Sequence, residues 1–219
     1  MLELVAYTDE AGERCLRESF ARVETTVVAD GWEDAWKRFH RPARIGSLWV
    51  GPPWETSDPD ALPVVIDPGR AFGTGGHATT RLCLELLHAV APGSLLDVGC
   101  GSGVLAIAAA KLGFAPVVAL DVDEAAVEAT SANAAANGVD VDVRLVDALA
   151  ETLPAADVAV ANITLAAAEV VAERLPASRA LVLSGYLADA RLDPRGWQHA
   201  RRLVEGGWAA DLYARERRT

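Results

Sequence analysis

Between Leu62 and Leu187 the chain repeats one alternation. A short run of consecutive apolar residues is followed by a longer stretch in which apolar residues recur every three or four positions. The short runs are "PVVID", "SLLDVG", "PVVALDV", "VDVRLV", "DVAVANI" and "RALVLSG". Runs this short, rich in Val and Leu and bounded by turn residues, predict strands covered on both faces. The longer stretches predict helices. "GHATTRLCLELLHAV" carries Leu82, Leu86 and Val90 on one side, "GVLAIAAAKLG" is closed by Gly113, "DEAAVEATSANAAANG" by Gly138, and "LAAAEVVAERL" follows. The tail "GWQHARRLVEGGWAADLYARE" breaks the pattern, since two extended runs meet at "EGG", a hairpin signal. The expectation is a doubly wound α/β fold of about seven mostly parallel strands, with right-handed crossovers and an antiparallel hairpin at its end.

The first 60 residues read differently. "ARVETTVVAD" alternates like a half-buried strand, and "GWEDAWKRF" places Trp32, Trp36 and Phe39 on one helical face. Prolines 52, 53, 59 and 63 keep the next segment extended or turning. The expected division is a small α+β appendage and linker at 1–60 and a main domain at 61–219. Trp32, Trp36, Trp49 and Trp54 suit either the core of the appendage or the wall of an acceptor groove, the core being the favoured reading.

A length of 219 residues allows one domain with such an appendage. The formal charge of −11 argues against broad nucleic-acid binding, which needs basic surface to release counterions. It suits small-molecule chemistry or a basic protein partner. No apolar run is long enough to span a bilayer, and the N-terminus lacks a basic segment before an apolar one, so neither an anchor nor a signal peptide is expected. Cys15, Cys83 and Cys100 show no metal or disulfide spacing, which predicts free thiols in a reducing cytoplasm and no metal site.

The chemistry gathers at "DVGCGSG", Asp97 to Gly103, at the end of a predicted strand. Gly99 and Gly101 let backbone approach a ligand closely, and Gly103 opens the next helix. Asp121 closes the following strand, where its carboxylate can accept both hydroxyls of a ribose. A dinucleotide turn wants G-x-G-x-x-G against a pyrophosphate, whereas here the spacing is G-x-G-x-G and Asp97 stands two residues before the first glycine. A carboxylate repels diphosphate and attracts the ammonium of an amino-acid moiety. A ribose, no phosphate and a cationic amino-acid tail together describe S-adenosylmethionine. Asp147, after the next strand, can meet the adenine amine or serve as the N-cap of a helix over "ALAETL". Asn162 closes "DVAVAN" and offers a carbonyl acceptor for a substrate amine, or simply closes a strand turn.

"IDPGRAFGTGGHATTRLCLELL" is more particular. With "LDVGCGSGVLAIAAAKLG", "DVDEAAV", "VANI", "LSGYL" and, upstream, "GWEDAWKRFHRPARIGSLWVGPPW", it resembles the PrmA family, the methyltransferases of large-subunit ribosomal protein L-eleven. The resemblance runs from about Gly31 to the terminal hairpin. It implies a class I, Rossmann-like methyltransferase fold with S-adenosylmethionine as cofactor. Phe72 to Thr80 would form a loop and helix start folding over that cofactor, with Phe72, Thr74 and Thr80 among its contacts, Gly99 in the turn, Asp121 at the ribose and Asn162 near the sulfonium. For Thr74 and His77, loop closure and helix capping weigh evenly with direct contact. The chain departs from the family in a shortened N-terminal recognition region, in "NITL" where the family has N-I-L-A, and after "LSGYL", where Pro194 and Gly196 clip a helix.

The resulting expectation is an enzyme that methylates amines, lysine or N-terminal, of a protein such as that ribosomal protein, with Asn162 as the catalytic residue that orients the amine. A small-molecule N- or O-methyltransferase is the alternative, followed by a non-catalytic adenosylmethionine-binding module. A nicotinamide oxidoreductase is the least favoured, because of Asp97.

Overall fold

The structure, a computed structural model, describes residues 16–17, 20, 40–68, 75–176 and 178–215. The chain divides into two compact units, Met1–Arg38 and Phe39–Thr219. Residues 39–60, grouped with the N-terminal part on sequence grounds, thus lie in the same unit as the main domain. Trp32, Trp36, Phe39 and Cys15 fall outside the described residues.

Among the described residues, the second unit holds two sheets. The smaller has three strands, β1 (Ala43–Ile45), β2 (Leu48–Gly51) and β3 (Leu62–Val65), in the order β1-β2-β3. The first two pair antiparallel and the last two parallel. The predicted strand "PVVID" therefore joins this sheet rather than the large one. Its Ile66 and Val64 are buried against the main core, and Trp49 is buried as well.

The larger sheet comprises β4 (Leu95–Val98), β5 (Val117–Asp121), β6 (Asp142–Leu145), β7 (Val158–Asn162), β8 (Ala180–Leu187), β9 (Trp197–Glu205) and β10 (Trp208–Arg215). Their order is β6-β5-β4-β7-β8-β10-β9. The pairs from β6 through β8 are parallel and β10 is antiparallel to both neighbours. This is the doubly wound mixed sheet that the alternation predicts. Strand order reverses beside β4, and such a reversal opens a crevice at the carboxyl ends of the strands.

Helices α1 (Ala78–His88), α2 (Val104–Lys111), α3 (Glu124–Asn137) and α4 (Leu165–Arg174) connect or cover the strands. Gly138 ends α3 in the left-handed conformation that a helix C-terminus favours. Gly206 and Gly207, both at positive φ, make the tight turn of the β9–β10 hairpin. One apolar cluster packs α1, α2 and β3 on one face of the large sheet, and a second packs α4, Tyr186 and Trp197 on the other.

Two asparagines of α3 tie the small sheet to the large domain. Asn137 accepts from the Val65 N–H at 2.9 Å and donates to its carbonyl at 2.6 Å. Asn133 does the same for Asp67, accepting at 3.0 Å and donating at 3.4 Å, and also donates to the Ser102 carbonyl at 2.9 Å. The match is metric: four residues along the helix advance about 6 Å and two strand residues about 6.6 Å.

Candidate active site

Each predicted acid stands at the carboxyl end of a strand because the parallel order puts every such end on one side. Asp97 lies on β4 with no exposed surface. One carboxylate oxygen accepts from the Ala106 N–H at 3.1 Å, satisfying a free donor in the first turn of α2. The other, Oδ1, is buried with no protein donor. Burial pushes this carboxyl up to about 7, against the pull of the Ala106 N–H, and the nearby charge of Asp121 adds to the rise.

Gly99, Gly101 and Gly103 all have positive φ, at 76°, 56° and 82°. A Cβ on Gly99 would stand 2.5 Å from the Ile163 side chain, and one on Gly103 would meet Thr130 at 2.8 Å. Both glycines are thus required by close approach as well as by backbone conformation. Asp121, half-buried at the end of β5, accepts from the Gly101 N–H at 2.9 Å and from the Asp123 N–H at 3.0 Å. Two backbone donors aim the carboxylate and leave its remaining lone pairs to face a ligand.

Asn162 ends β7, half-buried, and its Nδ2 donates to the Thr79 hydroxyl at 3.2 Å and lies 3.5 Å from that of Thr80. Both threonines open α1 and are buried. His77 caps that helix, its Nδ1 accepting from the Thr79 N–H at 3.4 Å and standing 2.8 Å from the Thr79 hydroxyl. The His77 ring meets the Trp208 ring edge-on at 4.9 Å. Arg81 binds the Gly76 carbonyl and pairs with Glu205 of the hairpin at 2.5 Å.

Asp97, Gly99, Gly101, Asp121, Thr80 and Asn162 therefore form one continuous neighbourhood, linked by the bonds and close approaches just given. Asp147 sits at its margin, exposed, two residues beyond β6. Its Oδ1 accepts from the Leu149 N–H at 2.9 Å, and its own N–H donates to Glu151. It caps a turn over residues 148–150, where one of its two sequence readings expects a helix over "ALAETL". Phe72 and Thr74 fall outside the described residues. The connection from β8 to β9 contains no helix, in keeping with Pro194 and Gly196.

Sequence reasoning missed Thr79 and Asn133. The signal for Asn133 was present: two asparagines one turn apart in an alanine-rich helix present adjacent amides on one face. Thr79 gave less away, because adjacent threonines at a helix start read as ordinary capping.

The pieces fit a ligand carrying a ribose and a cationic group. Asp97 lacks one donor, Asp121 presents acceptors, and the glycines admit close backbone contact. The thiols are poor nucleophiles here, since burial pushes Cys100 up to about 12 and raises Cys83 as well. Among the described residues no His, Cys, Asp or Glu cluster is arranged to hold a metal, and no helix is long and apolar enough to cross a membrane.

The family described as "Ribosomal protein L11 methyltransferase (PrmA)" matches residues 2–212. A ribosomal protein L11 methyltransferase of Symbiobacterium thermophilum is 54% identical over 144 residues, covering 63% of this chain and 47% of that protein. One from Shewanella pealeana is 45% identical over 156 residues, covering 68% and 53%. The chain spans about half the length of the curated relatives it matches. The solved ribosomal protein L11 methylase of Lactobacillus delbrueckii subsp. bulgaricus matches at a TM-score of 0.70 and 28% identity, over 81% of this chain and 100% of that one. TrmN from Thermus thermophilus, with a TM-score of 0.52 and 23% identity over 62% of this chain and 48% of its own, is alike in fold alone.

Proposed function

Because the chain belongs to the ribosomal protein L11 methyltransferase (PrmA) family, we propose that it methylates an amino group of a protein using S-adenosylmethionine. The ribosomal protein named in its relatives is the first acceptor to try. Asp97 carries this reading: a buried carboxylate oxygen without a donor lies beneath a turn whose ligand must supply one. An ammonium supplies it, and a pyrophosphate cannot.

When bound, the cofactor supplies an electrophilic methyl group on a sulfonium. The chain's residues do the rest by placement. Asp121 accepts the ribose hydroxyls, and Gly99 and Gly101 let the backbone close on the ligand. Asn162 receives a neutral amine, its Oδ1 accepting an N–H so that the nitrogen lone pair points along the line of transfer. A lysine ammonium, with an ordinary pKa near 10.4, gives its proton to solvent water before the amine enters the water-poor site, so no strong base is needed. Residues 61–219 hold this machinery, and the segment before them contributes to acceptor choice. The free, buried thiols of Cys83 and Cys100 support a reducing cytoplasm as the place of work.

The test is to incubate the purified chain with methyl-labelled S-adenosylmethionine, first with the ribosomal protein and then with lysate. Label in a protein supports the reading, and label in the small-molecule fraction replaces it with a small-molecule methyltransferase. Binding of NAD without binding of the methyl donor or its demethylated product would overturn it. Within the site the roles separate. Asn162→Ala should lower kcat by about tenfold or more while cofactor affinity changes little, and Asp121→Ala should weaken cofactor binding by about tenfold in calorimetry.

A further inference from the structure

We propose that His77 and Thr79 are positioning residues that fix which end of the Asn162 amide faces the transfer site. The proposal rests on the methyl-transfer reading above and adds to it the source of the amide's orientation. Three side chains form a hydrogen-bonded chain, from His77 Nδ1 to the Thr79 hydroxyl at 2.8 Å and from that hydroxyl to Asn162 Nδ2 at 3.2 Å.

The direction of this chain follows from its helix-cap end. The Thr79 backbone N–H points at His77 Nδ1, so that nitrogen is an acceptor, and the ring proton sits on Nε2. The Thr79 hydroxyl, which has one proton, donates it to the same Nδ1. Only oxygen lone pairs then remain on its other side, and the side chain facing them must be a donor. Asn162 meets that demand with its NH2 group, which leaves Oδ1 to face the site. The reversed amide would set its carbonyl against the lone pairs of the Thr79 hydroxyl, in a residue only 2% exposed, with no bulk water to relieve the clash. Thr80 adds a second, longer acceptor at 3.5 Å on the same side. A substrate amine can donate to Oδ1 and cannot donate to an NH2, so the cap of α1 decides whether Asn162 welcomes an amine.

Two measurements test this. In the whole protein, 15N spectra of the His77 imidazole should show a bare Nδ1 and a protonated Nε2. A protonated Nδ1 overturns the proposal, whether or not an acceptor has been found. In the transfer assay, Thr79→Val keeps the backbone N–H that meets His77 but deletes the hydroxyl. We expect kcat to fall about tenfold or more with cofactor Kd changed by no more than about twofold, and Thr79→Ser to recover most of the loss. Wild-type kcat in Thr79→Val overturns the proposal. So does a loss of kcat accompanied by an equal loss of cofactor affinity and of Tm, which marks a merely structural threonine. If the wild-type chain transfers methyl to nothing, the functional reading fails, and the imidazole spectrum still decides the polarity of the cap.

Discussion

Asp97 holds its proton to an unusually high pH for a carboxylate, and this makes binding of the proposed cofactor depend on pH. Its ordinary value is 3.8 and burial raises it to about 7. Between those values the folded, ligand-free chain keeps a proton that the unfolded chain has lost. Stability therefore falls as pH rises through that window, and the full cost is present above about 7. A cationic donor at Oδ1 favours the ionised form, so binding should expel the proton, and affinity should climb from pH 6 to about 7 and then level off. Calorimetry in two buffers of different ionisation enthalpy reads the released proton directly. Asp97→Asn, which can still accept from Ala106, should raise the Tm of the ligand-free protein at pH 8, weaken binding and flatten its pH dependence. An affinity for S-adenosylmethionine that is flat across pH 6 to 8 in the wild type would refute the link. The spacing of Asp97 and Asp121 around the glycines made both acids legible in the sequence. The burial that gives Asp97 its character was not, because a strand-end aspartate reads alike whether it faces a ligand or a helix cap.

At the level of elements, the close fit of β8 against the end of β7 is the most exacting contact near the site. Gly185 sits at φ 101°, and a Cβ there would lie 2.0 Å from the Ile163 carbonyl oxygen, with the carbon and nitrogen of the same residue's backbone within 3 Å. Gly185→Ala must push β8 away from the turn that carries Asn162. A loss on the order of 3 kcal/mol and a sharp fall in turnover are expected, measurable by denaturant titration and the transfer assay. Gly196→Ala, at φ 81° in open space, should cost only about 1 to 2 kcal/mol and spare activity. Periodicity located helices α1 to α4 and the strands of the large sheet to within a residue or two, since apolar runs and terminal glycines mark their own limits. It did not reveal that "PVVID" would pair with β2. Strand partners depend on register and on Asn133 and Asn137, which lie some seventy residues away in the chain.

On the scale of the whole sheet, a second buried carboxylate lies at the side far from β6. Asp211 of β10, 1% exposed, accepts from Arg202 at 2.8 Å, from the Tyr186 hydroxyl at 2.9 Å and pairs with His199 at 2.8 Å. Arg202 also donates to the carbonyls of Ala188 and Ala190, holding the connection that leaves β8. Arg202→Met leaves Asp211 with Tyr186 and His199 but without its permanent countercharge, and should cost about 3 kcal/mol. Arg44→Met, which breaks an exposed pair with Asp58, should cost less than about 1 kcal/mol. Equal midpoints for the two variants in denaturant would contradict this account of where the fold is held. The doubly wound order itself was readable from the alternation of runs. The ionic lock was not, because its members sit on an amphipathic hairpin whose charges look like ordinary solvated residues.

The small sheet shows what α3 contributes beyond packing. By taking both the N–H and the carbonyl of Val65, Asn137 occupies the hydrogen-bonding groups that an incoming peptide would need at that border. A foreign strand cannot add there without first displacing a side-chain amide, so three short strands are kept from becoming a template for fibril growth along that side.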